Sequence, residues 1–221
     1  MALKKRIPHP VLNASLLLIV LASLFGNPVP ALALDNAEQA LPTFTDFRQA
    51  VRDGRANHLR GVYVPGVLAF PIVQQPSGSP GYVSSRDRQV TQFSMAAEYG
   101  IVGLLAHNYL AGRSFSELAV GQEVRLVYGD GGVEDFVVTE VLHYQALQPY
   151  SPLSSFRNLD DDETLSAEQM FRRVYLGDRH VTFQTCIEEN GNLSWGRLFI
   201  IAVPRSAFFR SEPSSRRIKP A

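Results

Sequence analysis

The sequence predicts a closed, mainly β domain. Short apolar runs recur from Gly61 to Val203, and turn signals such as Gly129-Asp130-Gly131-Gly132 and Asn190-Gly191 separate them. Little of this stretch has helical periodicity, and short strands joined by hairpin turns favour a closed β architecture. The chain has 221 residues, 45% hydrophobic and 19% charged, enough for one domain with a sizeable core.

Residues 1–33 read as an export signal and not as part of the fold. Lys4, Lys5 and Arg6 form a basic start, Val11 to Phe25 is apolar apart from Asn13, Ser15 and Ser23, and Ala31-Leu32-Ala33 offers a small-residue cleavage site. The alternative is an uncleaved anchor, which would associate the chain with a membrane through its N-terminus. The apolar run is short for a full bilayer span, and the Ala-x-Ala pattern favours cleavage. Removing residues 1–33 takes away three basic and no acidic residues.

The elements follow in order. Residues 34–60 are a lead-in in which Thr45 to Val51 forms a short helix ended by Gly54. Gly61 to Gln75 gives one or two strands with a bend at Pro65-Gly66, and Pro71 suits an edge or bulge. Gln75 to Gly81 is a loop. Arg88 to Tyr99 is expected to be a helix with Val90, Phe93 and Ala97 on its apolar face. Ile101 to Ala106 is an apolar strand ending at His107, and Gly121 to Tyr128 pairs with Val133 to Tyr144 across the glycine-rich turn. Gln145 to Thr164 is irregular. Ser166 with Gln169 makes a capping box opening a helix to about Tyr175. Val181 to Cys186 and Arg197 to Val203 are the last strands, and residues 205–221 form a polar, basic, poorly ordered tail. The domain proper is thus residues 61–204.

Charge and cysteine content exclude several classes. With 21 basic and 21 acidic residues the net charge is zero, so a nucleic-acid partner is not expected. Cys186 is the single cysteine, which excludes an internal disulfide scaffold and a cysteine-rich zinc site. Asp160-Asp161-Asp162-Glu163 lack the spacing of an EF-hand loop and read as a helix start or a solvated loop. No metal or cofactor is expected.

A lone thiol in an exported chain is an intermolecular link, an inert buried group or a functional nucleophile. The last hairpin bears on this. A two-residue loop at Asn190-Gly191 sets Glu189 against Asn192 and Cys186 against Trp195. Arg197 then lies diagonally across from Cys186 on the same face, where its charge favours thiolate and can hold an oxyanion. A base is also needed. His9 lies in the signal, His58 in the lead-in, His143 in mid-strand and His180 six residues before Cys186. His107, at a strand end beside a loop, is the better candidate by position.

Three stretches in this order resemble the sortases, the cysteine transpeptidases of bacterial cell surfaces. Gly103 to His107 (Gly-Leu-Leu-Ala-His), trailed by Phe115, Leu118 and Gly121, resembles the family's histidine motif. Thr182 to Cys186 (Thr-Phe-Gln-Thr-Cys) resembles its cysteine motif, with Phe183 in place of the common Leu, and Arg197 follows eleven residues later. Papain-like enzymes place Cys before His, and caspases use a different Cys signature.

The resemblance implies an eight-stranded β-barrel with a few short helices and no cofactor. It implies that Cys186 is the nucleophile, His107 the proton carrier and Arg197 the oxyanion or substrate contact, with the Thr185 hydroxyl lining a substrate groove. The partners it implies are an exported protein carrying a sorting signal of the Leu-Pro-x-Thr-Gly kind and an amine acceptor on the cell wall or another surface protein. The alternative is a noncatalytic exported barrel that binds peptide or wall polymer without turnover.

Overall fold

The computed structural model describes residues 40–211. The expected signal at 1–33 lies outside the described residues, as does most of the tail. The chain's contacts separate Met1–Ala40 from Leu41–Ala221, and the fold described is that of the second unit.

Helix α1 (Phe44–Ala50) opens the unit, capped by the Thr43 side chain, which accepts from the Asp46 amide. It lies on the sheet where Gly61 leaves room, since a Cβ there would fall 2.7 Å from the Phe47 ring. The strands β1 (Leu59–Val64) and β2 (Leu68–Gln74) form a hairpin around Gly66, whose φ of +76° suits glycine. Then come β3 (Val90–Phe93), the single turn α2 (Ser94–Ala97), β4 (Val102–Leu105) and a 3₁₀ helix at Ala111–Glu117. The second half carries β5 (Glu123–Tyr128), the long β6 (Val133–Ala146), the short β7 (Phe156–Asn158) and β8 (Thr164–Leu165), and helix α3 (Ala167–Tyr175). β9 (Val181–Glu189), β10 (Asn192–Pro204) and α4 (Arg205–Ser211) complete it.

The strand order is β10-β9-β4-β3-β2-β1-β5-β6-β7-β8, and β10 also pairs with β6. That pairing closes β1–β6, β9 and β10 into an eight-stranded barrel, which is the expected mainly β fold. β7 and β8 extend from the outer edge of β6. Two contacts are parallel, β2 with β3 and β4 with β9; the rest are antiparallel. Alternate residues fill the interior, among them Leu104, Phe115, Val181, Phe183 and Ile200. A second apolar cluster, with Tyr144, Met170, Tyr175, Phe199 and Ile201, lies outside the barrel under α3.

The expected helix at Arg88–Tyr99 is corrected by the structure. Its first half is the strand β3, and only Ser94–Ala97 turns. Arg88 has φ +56°, a left-handed conformation that prevents a helix from starting there. Val90 and Thr91 are β-branched and fully buried, and Val90 pairs with Ile72 while Thr91 pairs with Leu105. Two smaller differences follow: the stretch read as irregular contains β7 and β8, and residues 205–211 are helical. The acidic run 160–163 is the solvated loop of its two readings, between β7 and β8. The capping box at Ser166 and Gln169 is present. Among the described residues no helix is long and apolar enough to cross a membrane.

Candidate active site

Cys186, His107 and Arg197 are brought together by strand register. On β9, Val181 and Phe183 face the interior, while Thr182 faces outward and donates to the Val174 carbonyl of α3 at 2.6 Å. Cys186 therefore faces outward, half-buried and free. On β10 the inner residues are Leu198, Ile200 and Ala202, so Arg197 also faces outward.

The hairpin begins as expected. Asn190 and Gly191 have φ of +51° and +79°, and Glu189 pairs with Asn192. The ladder then slips, because four steps along β10 to Gly196 match only two along β9 to Ile187. Arg197 consequently sits directly opposite Cys186, and the expected pairing of Cys186 with Trp195 is corrected. A slip of two residues keeps side-chain parity, so Arg197 stays on the cysteine's face.

β4 runs parallel to β9 on its other side. The pairs Val102↔Val181 to Leu105↔Gln184 hold a constant offset, and the Ala106 amide continues the ladder by donating to the Gln184 carbonyl at 3.2 Å. The ladder ends at Leu105, and the same offset carried two positions further puts His107 level with Cys186. Neighbouring strands lie about 4.8 Å apart, so Arg197 and Cys186 are adjacent and His107 stands just past the end of the next strand; these three residues define a row across three strands.

Arg197 and the turn at His107 are held from outside the row. Arg197 donates from Nη1 to the Ser194 and Gly196 carbonyls, at 3.0 and 2.8 Å, and from Nη2 to the Pro149 carbonyl at 3.3 Å. Among the described residues no carboxylate pairs with it, so its charge stays available to a bound carbonyl or oxyanion. The His107 carbonyl accepts from the Leu110 and Gly112 amides, both at 3.0 Å, which folds the chain back as a tight turn. The His107 ring stacks on Tyr109, with centroids 5.2 Å apart and planes 18° apart. Phe115 anchors the 3₁₀ helix that follows by packing edge-on against Phe183 of β9, 5.1 Å between centroids. The Phe of the histidine motif thus meets the aromatic residue that stands in the cysteine motif.

Thr185 does not line an open groove. Alternation sends it to the face opposite Cys186, where it is 4% exposed and its hydroxyl has no hydrogen-bond partner. It lies beneath the histidine turn, since a Cβ on Gly112 would fall 2.3 Å from Thr185 Oγ1 and 2.7 Å from the His107 carbonyl oxygen.

The other histidines take no part in the row. His58 and His143 are exposed, and His180 is buried with Nδ1 and Nε2 at 2.7 and 3.0 Å from the Asp178 and Val174 carbonyls. Beneath the row, the Tyr175 hydroxyl donates to the Gln184 side chain, and burial pushes that hydroxyl's pKa well up, so it stays a donor. A surface cleft lined by Thr139, Glu140, Arg173, His180 and Val203 lies at the other end of β10, six residues or about 20 Å along the strand from Arg197.

Sequence reasoning missed the residues that hold the row. Asn108 Nδ2 donates to the Leu193 carbonyl at 3.0 Å, and the Tyr150 hydroxyl donates to Asn192 Oδ1 at 3.2 Å. Tyr109, Tyr150, Leu153 and Leu193 stand exposed around the row, Tyr150 and Leu153 at 82% and 80%. Exposed aromatic residues near a candidate nucleophile were the available signal. Among the described residues, no cluster of His, Cys, Asp and Glu could hold a metal ion.

Fold and site together define a closed β-barrel bearing a His–Cys–Arg row on its outer face. The solved structures to which it is similar include sortases. Sortase A of Listeria monocytogenes aligns at 12% identity over 69% of this chain and 88% of that one, with a TM-score of 0.43. A sortase from Actinomyces oris aligns at 17% identity over 77% and 93%, with a TM-score of 0.42. Sortase C1 of Streptococcus agalactiae aligns at 18% identity over 66% and 67%, with a TM-score of 0.40. No family profile and no curated protein matches this sequence.

Proposed function

We propose that the chain is an exported, sortase-type cysteine transpeptidase. The observation that carries this reading is the register that pairs Arg197 with Cys186, with His107 just past the end of the parallel neighbour β4. The order of the sequence motifs supports it independently.

In this reading the Cys186 thiolate attacks the carbonyl carbon of a sorting-signal residue. Arg197 stabilises the oxyanion that forms. As the tetrahedral intermediate collapses, the C–N bond breaks, and His107 gives a proton to the departing amine. The product is a thioester on Cys186 Sγ. An incoming amine, on the cell wall or another surface protein, loses a proton to His107 and displaces the sulfur, which restores the thiolate. The extracytoplasmic location rests on the export signal at 1–33.

The test supplies a Leu-Pro-x-Thr-Gly-type peptide with an amine such as triglycine. The expected outcome is a ligated product from the native chain and none from Cys186→Ala, with unchanged circular dichroism. Equal product from both would overturn the nucleophile assignment. Hydrolysed peptide without ligation would make the chain a peptidase. Peptide binding without turnover in either protein would favour the noncatalytic barrel.

A further inference from the structure

The row is built from three strands, and something must fix the spacing of its outer members. The ladder does this for Cys186 and Arg197, which are paired residues. It does not do so for His107, which lies past the last residue of β4. Among the described residues, no hydrogen bond holds its imidazole, and its ring contact is the stack on half-exposed Tyr109.

We propose that Asn108 is the positioning residue for His107, and that the bulge of β10 is its anchor. The proposal rests on the reading of His107 and Cys186 as a working pair. Asn108 is next in the chain to His107, and its side-chain amide reaches a carbonyl 85 residues away, that of Leu193. Leu193 lies in the slipped segment between Asn192 and Gly196, where the ladder with β9 is interrupted. An interrupted ladder leaves backbone groups free to bond elsewhere.

The same segment holds Arg197 through the Ser194 carbonyl and is itself braced, because Asn192 Oδ1 accepts from the Ser194 amide at 3.0 Å. One bulge of a few residues therefore fastens the groups on both sides of the thiol. Without the Asn108 tie, the histidine turn keeps its own two hydrogen bonds but loses its link to the strand that carries Arg197. The imidazole then samples a wider range of positions relative to Cys186 Sγ, and proton transfer is sensitive to displacements of this size.

The experiment needs no substrate. Alkylation of Cys186 by iodoacetamide is followed against pH in the full-length chain, in Asn108→Ala, in the similarly sized Asn108→Leu and in His107→Ala. The leucine keeps roughly the size of the side chain, adds no charge and removes its donor. The expected result is that both Asn108 variants move the profile part of the way towards that of His107→Ala. Their rate at neutral pH falls about three- to tenfold, the scale of one lost hydrogen bond, while their thermal midpoints fall by no more than about 2–4 °C, the stability of that same bond. If the Asn108 variants superimpose on the native profile while His107→Ala departs from it, the positioning role is overturned and the catalytic pair stands. If His107→Ala also superimposes, the pair itself fails, and the proposed function with it. A changed profile accompanied by a midpoint lowered well beyond this in both variants counts against positioning, because it marks a structural role.

Discussion

The hairpins β5–β6 and β9–β10 both turn on residues with positive φ, Gly131 in the first and Asn190 with Gly191 in the second. β5–β6 then keeps one register from Val127↔Val133 to Glu123↔Val137. β9–β10 slips by two residues between Asn192 and Gly196 before its ladder resumes. The regular hairpin supplies core through Val124, Leu126 and Phe136. The slipped one supplies core through Val181, Phe183 and Ile200 and carries Cys186 and Arg197 on its outer face. In the second hairpin the turn sets which face a residue occupies, and the bulge sets which residue it meets.

The sharpest way to break the contrast is at Arg197. Arg197→Lys keeps the charge and loses the planar fork that three carbonyls hold. Turnover should fall about a hundredfold, as when an oxyanion contact is removed, with the urea midpoint unchanged. Next comes Gly196→Ala. Its Cβ would fall 2.5 Å from the Tyr144 carbonyl oxygen, so β10 must move off β6, at a cost of about 1–3 kcal/mol. The matching change in the regular hairpin, Gly132→Ala, meets the Asp130 side chain at 3.1 Å, and should cost well under half as much in the same thermal melts.

A smaller effect sharpens the role of the bulge. Gly191→Ala places a side chain at φ +79° and should cost about 1 kcal/mol. Because the bulge lies between the turn and the row, the alkylation profile of Cys186 should not change. A shifted profile would mean that the turn, and not the bulge, fixes the row. The smallest change is Asp130→Ala, which removes a 2.8 Å bond to the Gly132 amide. It should lower stability by about 0.5–1 kcal/mol with no change in reactivity. Asn192→Ala, the counterpart in the slipped hairpin, should alter reactivity as well, because Asn192 also receives the Tyr150 hydroxyl.

What could be read from the chain divides along the same line. Turn residues and alternation are local, so both hairpins, the α3 capping box and the shared face of Cys186 and Arg197 were legible. Pairing between distant segments is not local. The spacing of Val90, Phe93 and Ala97 suits a helix, and the parallel pairing of Val90 with Ile72 overrides that local signal. The 79 residues separating His107 from Cys186 equal the β4–β9 offset, yet that number has no meaning until the two strands are known to be parallel neighbours. Thr185 was misplaced for a simpler reason. Its groove role came from the family resemblance, whereas strand alternation alone puts the residue beside Cys186 on the other face. The slip in β10 left no mark that periodicity would reveal, since two residues preserve parity.

Barrel closure also bears on how the chain comes into being. β10 is the last strand synthesised, and it pairs with both β9 and β6. The strand that seals the barrel against β6 is therefore also the strand that carries Arg197 to Cys186. The pairing with β6 is distant in sequence and forms late and slowly, whereas Cys186 and Arg197 meet across a local hairpin that can form before the wall closes. A product cut short before β10 would carry Cys186 and His107 but neither the closed wall nor the guanidinium, so the order of the strands puts the cation last.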